Sequence, residues 1–245
     1  MLLNKIVLIT GGNMGIGLAT AKYFAENKIT VLYTYFEDQN NNEQISVELK
    51  KMGAPEVEGF FLDLQDDENI KKIAWIIKEK YGQIDYLINN AALKFNALLE
   101  NQSFNMINSQ LRVNLEGLIK LTKEFLPFIK EVIINIASAL ALEGAKKDLT
   151  IYCASKYGVR GFTKSLAREY PQLKIYTLNP SLTATRMGHF QGMMPEKTAE
   201  IVFNTAMGKY RVKSGADINV RDYKYNKFIK FFLPIWRLIK KMIKF

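Results

Sequence analysis

The sequence is short of the residues that build disulfides and transition-metal sites. Among its 245 residues there is one cysteine, Cys153, and one histidine, His189. A single cysteine forms no internal disulfide, so nothing requires an oxidising compartment. So few His and Cys side chains exclude most zinc-type sites, and we expect no metal. The opening stretch MLLNKIVLIT lacks the long apolar core and cleavage site of a signal peptide, so we expect a cytoplasmic protein.

Acidic residues are missing from one region only, the C-terminal tail (224–245). The formal net charge of the chain is +10, and the tail carries seven Lys and Arg residues and no Asp or Glu, which leaves 10 − 7 = +3 on residues 1–223. The nearly neutral body has no basic stripe interleaved with aromatic residues, so we expect no nucleic-acid partner. We therefore divide the chain into a body, 1–223, and this basic tail.

The body alternates short apolar runs with longer helical patterns. Residues 5–10, 29–35, 57–63, 84–89, 131–138 and 174–180 are apolar on nearly every position, which is typical of buried parallel strands. Residues 67–81 place isoleucines at three- and four-residue spacing, which predicts a helix. The alternation predicts a single-domain α/β fold: a doubly wound parallel sheet with helices on both faces.

Two short motifs could carry chemistry. TGGNMGIG (10–17) follows the first predicted strand and precedes a helix, and such a turn brings backbone amides close to a pyrophosphate. Tyr152 and Lys156 are four residues apart, so on a helix they share one face. In isolation, the first motif could be an ordinary turn and the second an ordinary solvated pair.

The order of the motifs makes the sequence resemble a known family. TGGNMGIG, NNAA (89–92), Asn114 in RVNLEG, Ser138 at the end of the fifth predicted strand, and Tyr152-x3-Lys156 occur in this order. Their spacing resembles that of the short-chain dehydrogenase/reductase family, in its compact branch of about this length. The resemblance covers roughly residues 3–220. It implies a Rossmann-like fold, a dinucleotide cofactor, and hydride transfer between nicotinamide and a carbonyl or alcohol.

The resemblance also assigns catalytic roles. Ser138 is expected to bind the substrate oxygen, Tyr152 to act as general acid or base, and Lys156 to bind the nicotinamide ribose and lower the pKa of the tyrosine. Asn114 is expected to hold a water in the proton relay. A free phenol has a pKa near 10, and a neighbouring ammonium favours its phenolate form.

The dinucleotide site implied by the resemblance extends beyond the glycine-rich turn. Asp63 is expected to meet the adenine amino group, and residues 89–91 are expected to line the cofactor. Ala92 and Ser181 stand where the family usually has glycine, and Thr185 is placed for the nicotinamide carboxamide. The predicted cofactor-binding residues are Thr10, Gly11, Asn13, Met14, Gly15, Ile16, Gly17, Tyr35, Asp63, Leu64, Asn90, Ala91, Ala92, Tyr152, Lys156, Pro180, Ser181 and Thr185.

The choice between the two dinucleotides depends on the end of the second strand. Tyr35 stands where NAD-dependent members carry an acidic residue, which favours NADP(H) over NAD(H). Met14 and Phe36, however, occupy positions where NADP-dependent members often carry Arg or Lys. Glu37 and Asp38 follow closely and could serve NAD instead.

The substrate side is less determined by the sequence. Only residues 187–194 lie between the carboxamide threonine and the next predicted helix, which begins with PEKTAEIVF, so we expect a short, flexible, apolar lid over an open pocket. His189 in this segment could touch substrate or be a bystander, and Cys153 is expected to pack within its helix. The expected substrate is a small carbonyl or alcohol compound, with an apolar or lipid-like character suggested by the lid and the tail.

The tail has one basic stripe and one apolar side. Lys227, Lys230, Arg237, Lys241 and Lys244 form the stripe, and Pro234 interrupts the helix pattern. Arg237 near the centre disfavours a transmembrane span, whereas an interfacial helix on anionic lipid fits the pattern. The tail could also pack on another subunit of a homodimer or homotetramer. The first reading makes the protein peripheral at the inner membrane surface.

Together these features predict an NAD(P)(H)-dependent oxidoreductase acting on a carbonyl or alcohol, with Tyr152 as the general acid or base. One alternative is a 3-oxoacyl-thioester reductase of the same family. Another is a non-catalytic, dinucleotide-binding regulatory or scaffold protein.

Overall fold

Seven parallel strands form one sheet in the computed structural model, which describes residues 5–36, 41–144 and 146–223. The strand order is β3-β2-β1-β4-β5-β6-β7, and every neighbouring pair is parallel. The strands are β1 (Ile6–Ile9), β2 (Thr30–Tyr35), β3 (Val57–Phe61), β4 (Ile84–Asn89), β5 (Ile129–Ile136), β6 (Lys174–Asn179) and β7 (Asp217–Asn219).

Helices connect the strands and cover both faces of the sheet. They are α1 (Gly15–Glu26), α2 (Asn42–Lys51), α3 (Asp67–Tyr81), α4 (Phe104–Leu111), α5 (Gly117–Phe125), α6 (Leu140–Glu143), α7 (Thr150–Glu169), α8 (Pro195–Ala206) and α9 (Val220–Tyr223). A π-helical turn, Arg112–Glu116, joins α4 to α5. The predicted doubly wound α/β fold is therefore confirmed, including the helix over residues 67–81.

Helix α3 shows how the sequence sets these elements. It begins after Asp66, whose carboxylate accepts hydrogen bonds from the backbone N–H groups of Glu68 and Asn69. It ends at Gly82, whose φ of 72° suits a residue without a side chain. The isoleucines Ile70, Ile73 and Ile77 all lie on the buried face. Capping, termination and apolar spacing thus agree over the whole helix.

Because side chains alternate along each strand, the sheet has one apolar cluster on each face. One face packs against α1, α2 and α8, with Phe24 and Phe203 in edge contact at 5.2 Å between ring centroids. The other face packs against α3, α5 and α7, with Phe125 at its centre. Two covered faces explain why the strand sequences are apolar on nearly every position.

The last strand is short. Only Asp217–Asn219 pair with β6, and the chain turns into α9 from Val220. Among the described residues, no helix is long and apolar enough to cross a bilayer. The tail, on which the interfacial-helix prediction depends, lies outside the described residues.

Candidate active site

The strand order reverses between β1 and β4, and their carboxyl ends border a pocket of about 560 Å³. In an open parallel sheet this reversal point is the usual ligand-binding crevice. The glycine-rich turn, the end of β3, the loop after β4, the end of β5, α7 and the loop after β6 all contribute to its lining.

The glycine-rich turn is shaped to receive a pyrophosphate. Gly11 and Gly15 have φ values of 62° and 54°, which favour glycine. A Cβ on Gly17 would lie 2.0 Å from the carbonyl oxygen of Gly11, so helix α1 can approach the turn only without one. No side chain caps α1 at Met14, so the first backbone N–H groups of the helix have no side-chain acceptor. These residues fit an anionic dinucleotide backbone.

A second turn, after β4, is tied to the first. The hydroxyl oxygen of Thr10 accepts hydrogen bonds from the backbone N–H groups of Asn90 and Ala91 at 2.9 and 3.0 Å. The Asn90 side-chain amide donates to the carbonyl oxygens of Thr10 and Gly11 at 2.9 and 3.1 Å. Thr10 is itself buried, so it joins the two turns.

The far end of the pocket is formed by Asp63, Leu64 and Phe36. The carboxylate of Asp63 accepts a hydrogen bond from the backbone N–H of Gln65 at 2.8 Å. Phe36 is 51% exposed and stacks on Phe61, with ring centroids 5.8 Å apart. Glu37 and Asp38, the candidate NAD ligands, lie outside the described residues.

Helix α7 brings Tyr152 and Lys156 together at the end of β5. Both side chains are buried, with Tyr152 8% exposed and Lys156 1%. The Lys156 ammonium donates to the carbonyl oxygen of Ile136 at 2.8 Å and lies 5.8 Å from the centre of the Tyr152 ring. Ser138, two residues after β5, contacts the phenol through a side-chain hydrogen bond. The predicted trio therefore meets at one point of the pocket.

Burial shifts the pKa values of the two groups in opposite directions. It raises the pKa of Tyr152 to about 12, although the hydrogen bond from Ser138 works against that rise, so the lowered tyrosine pKa that the resemblance implied is not found. It lowers the pKa of Lys156 to about 8. Each shift favours the uncharged form, because the low-dielectric surroundings penalise the charged one. At neutral pH the phenol is therefore protonated and ready to donate.

Asn114 lies in the π-helical turn, and its side chain is fully buried. Its carbonyl oxygen accepts from the backbone N–H of Leu93 at 2.6 Å, while its amide donates to the Leu93 carbonyl at 2.8 Å and to the Ser155 hydroxyl at 3.1 Å. The side chain thus fixes the loop after β4 against α7. It does not line the pocket.

The loop after β6 forms the remaining wall. Thr185 caps a short 3-10 turn, Arg186–Gly188, and its methyl group would lie 3.1 Å from a Cβ placed on Gly15. Ser181, which replaces a glycine of the family pattern, accepts a hydrogen bond from the Arg221 side chain at 2.9 Å. His189 is exposed and does not line the pocket, so the structure places it as a bystander. Cys153 is buried beside Leu149 and Tyr152.

Several predicted residues support the pocket without lining it. Thr10, Gly17, Tyr35 and Asn114 are all in this group. Asn89, expected to line the cofactor with its neighbours, instead donates to Thr122 and to Asn135 at 2.9 and 2.8 Å within the core, so that expectation was wrong. The reason is its position, since it is still in strand β4 with its side chain facing α5.

Sequence reasoning missed part of the lining. The unassigned residues include four cations, Lys94, Lys146, Arg186 and Arg221, and a set of apolar side chains. That set contains Leu93, Leu140, Leu149, Leu182 and Met187. The position of Lys94, two residues after NNAA, was the one signal available, but a loop lysine alone does not indicate a site.

An anion-binding turn at a helix N-terminus, next to a buried phenol and ammonium, defines a dinucleotide-dependent oxidoreductase. No cluster of three or more His, Cys, Asp or Glu side chains able to hold a metal occurs among the residues that the structure describes.

Comparison with known proteins agrees with this class. The family model described as short chain dehydrogenase matches residues 5–195, so the chain belongs to the short-chain dehydrogenase family. It is an NAD(P)-dependent oxidoreductase that acts on CH–OH or C=O groups.

Relatives show how far the likeness extends. The 3-oxoacyl-[acyl-carrier-protein] reductase of Thermotoga maritima is 32% identical over 210 residues, which are 84% of this chain and 82% of that protein. The NADPH-dependent aldehyde reductase 1, chloroplastic, of Arabidopsis thaliana is 34% identical over 171 residues, 66% of this chain and 59% of the relative. A solved dehydrogenase/reductase from Sinorhizobium meliloti superposes with a TM-score of 0.81 at 25% identity, covering 88% of this chain and 92% of its own.

Proposed function

We propose that the protein is an NADP(H)-dependent reductase of a small carbonyl compound, with Tyr152 as the proton donor. The observation that carries this proposal is the buried pair of Tyr152 and Lys156, with Ser138 on the phenol, at the carboxyl end of the sheet.

The residues divide the chemistry between them. A bound dinucleotide would supply the hydride to the carbonyl carbon. Ser138 holds the carbonyl oxygen, and Tyr152 donates its phenolic proton to that oxygen as negative charge develops there. Lys156, four residues along α7, stabilises the phenolate left behind. The raised pKa of Tyr152, about 12, keeps the proton in place until the reaction takes it.

Cofactor contacts follow from the pocket lining. Gly15, Ile16 and the turn before them would hold the pyrophosphate, Asp63 and Leu64 the adenine, and Thr185 the carboxamide. Asn114, whose side chain is committed to Leu93, would hold its relay water through the backbone, because a π turn shifts the helical hydrogen-bond pattern.

The preference for NADP(H) rests on the end of β2. Tyr35 offers no carboxylate that would bind the adenosine ribose or repel a 2′-phosphate. The NADPH-dependent aldehyde reductase of Arabidopsis thaliana supports the same preference.

Replacing Tyr152 with Phe tests the proposal. Loss of the hydroxyl removes the proton donor, so we expect kcat to fall by about 10²–10⁴-fold while dinucleotide affinity stays within about twofold. Turnover is followed by NADPH absorbance over a carbonyl panel, and affinity by titration of NADPH fluorescence. Tyr157→Phe is the matched control, since Tyr157 is exposed on the same helix and does not line the pocket. Unchanged turnover in Tyr152→Phe would contradict the role of Tyr152 as proton donor, whereas NADPH binding without turnover in the wild type would favour the non-catalytic binding protein.

A 3-oxoacyl-thioester reductase is the second candidate. The relative from Thermotoga maritima favours it, because that protein is named for this reaction. Acetoacetyl pantetheine in the carbonyl panel separates the candidates: a preference of more than about tenfold in kcat/KM for the thioester over simple ketones would select the thioester reductase.

We also propose a cytoplasmic homodimer or homotetramer that contacts the inner membrane surface through the tail. Its basic stripe and apolar side support this proposal.

A further inference from the structure

The charges around the pocket are strongly unequal. Among the described residues, five cationic side chains line it but only a single carboxylate, that of Asp63. The cations are Lys94, Lys146, Lys156, Arg186 and Arg221. Lys156 belongs to the catalytic trio and Arg221 donates to Ser181, so Lys94 and Lys146 are the two cations of interest.

Lys94 is the most informative of them. It is half-buried on the loop after β4, and its ammonium donates to the carbonyl oxygen of Met187 at 2.6 Å across the pocket. Within the described part of the chain, no carboxylate pairs with it. Burial first, and the charge of Lys146 second, lower its pKa. Lys94 and Lys146 thus line the same pocket, and the side chain of Lys94 is partly removed from water.

These two lysines lie at the substrate end of the pocket. Met187, whose carbonyl holds Lys94, packs with Leu140 against the cluster formed by Leu149, Tyr152 and Cys153. Lys146 is connected to the same cluster, because its carbonyl oxygen accepts from the backbone N–H of Leu149 at 3.2 Å. The expected pyrophosphate site is at Gly15, where α1 begins.

Holding a partly buried cation beside a like charge costs free energy unless an anion arrives to offset it. The Met187 carbonyl accepts one hydrogen bond, but an ammonium has three donors. Lys94 therefore has donors left for a ligand, and Lys146 adds a second charge within electrostatic reach. Apolar side chains from α6, α7 and the loop after β6 border the same space.

We propose that the substrate carries an acidic group, a carboxylate or a phosphate, bound by Lys94 and Lys146, with its apolar part against Leu140, Leu149 and Met187. This inference rests on the proposed carbonyl reductase and names the class of its substrate: an apolar carbonyl compound with an anionic head.

Paired probes that differ only in charge test this inference. Levulinate is compared with its methyl ester, and acetoacetyl pantetheine phosphate with acetoacetyl pantetheine. Affinity for the full-length protein saturated with NADP⁺ is measured by calorimetry, and kcat/KM by NADPH absorbance. The variants are Lys94→Met, Lys94→Arg and Lys146→Met. The matched control is Lys147→Met, an exposed lysine next to Lys146 that does not line the pocket.

We expect the wild type to prefer at least one acidic probe over its neutral partner by about tenfold or more, as for a hydrogen-bonded charge. Lys94→Met should abolish that preference, so that each acidic probe matches its neutral partner, Lys146→Met should reduce it, and Lys94→Arg should retain most of it. Lys147→Met should match the wild type. The carboxylate and phosphate pairs tell which acidic group is bound.

The inference is overturned if acid and neutral partner bind equally, if no acidic probe binds, or if Lys94→Met leaves the preference intact. It is also overturned if Lys94→Met weakens NADPH binding instead, since the cation would then serve the cofactor. If Lys94→Met does not fold, the same criteria apply to Lys146→Met. Because the calorimetry needs no turnover, charge-dependent binding without reduction would contradict the proposed function and leave only the acid-binding site at Lys94 and Lys146 standing.

Discussion

At the residue scale, α7 places a phenol and an ammonium in one apolar environment and shifts both towards neutrality. The pKa of Tyr152 rises to about 12 and that of Lys156 falls to about 8, and burial is the main cause of each. The acid is thereby kept protonated, while the cation is kept close to the point of losing its proton. In mildly alkaline solution Lys156 loses its proton while Tyr152 keeps its own. We therefore expect the pH dependence of the reaction to come from Lys156.

A pH dependence follows from Lys156. The folded-state pKa is lowered from 10.5 to about 8, so the ammonium is present below pH 8 and is lost above it. Since kcat/KM for the dinucleotide reports the free enzyme, we expect that quantity to fall above about pH 8, by about tenfold overall, as the charged donor to the ribose disappears. Initial rates at limiting NADPH and saturating carbonyl compound give the profile. A flat profile to about pH 10, the pKa of an unperturbed lysine, would contradict the assignment.

At the element scale, the contact between α1 and the glycine-rich turn sets the shape of the cofactor site. Gly17 lies where a side chain would meet the Gly11 carbonyl, and Thr10 with Asn90 locks this turn to the turn after β4. The sequence motif predicted the turn and its glycines. It did not reveal that Thr10, Gly17 and Asn114 hold neighbouring elements together. A residue that lines the pocket and a residue that supports its wall can be of the same type, so the sequence does not distinguish them.

Two glycine-to-alanine changes compare a glycine that is in close contact with its neighbours, Gly17, with one that has open space around it, Gly161. In Gly17→Ala the new Cβ would lie 2.0 Å from the Gly11 oxygen, so α1 must move and we expect the dinucleotide Kd to rise by more than about tenfold. Gly161→Ala on α7 meets nothing within 4 Å, so it should stabilise the protein by about 0.5–1 kcal/mol and leave Kd unchanged. Fluorescence titration and urea unfolding measure the two effects. Equal effects of both changes would show that the close approach of α1 is not needed.

At the scale of the whole molecule, the reversal of strand order between β1 and β4 gathers residues that are far apart in sequence. Gly15, Lys94, Tyr152 and Thr185 reach one pocket only because the carboxyl ends of parallel strands meet at one edge. The tail continues from α9, whose Arg221 lines that pocket and donates to Ser181. The last described helix, α9, therefore lies beside the pocket.

The tail gives the prediction at this scale. Replacing the five basic residues of its stripe with Gln should abolish binding to phosphatidylglycerol vesicles, since each contributes about 1 kcal/mol near an anionic surface. Sedimentation with those vesicles measures binding, and neutral phosphatidylcholine vesicles are the control. Wild-type protein that stays in the supernatant, together with a changed mass of the variant in gel filtration, would support packing on another subunit instead.

The sequence by itself determined the fold class and the position of α3, because apolar periodicity is a local property. Its resemblance to the short-chain dehydrogenase family pointed to Ser138, Tyr152 and Lys156. Tertiary structure alone decided which residues face the pocket. It turned Asn89 into the core, committed the Asn114 side chain to Leu93, and set Lys94 and Lys146 around one space. These outcomes depend on loops of distant strands meeting at one edge of the sheet, and on burial that changes the pKa of a group. Neither can be read from the spacing of neighbouring residues in the sequence.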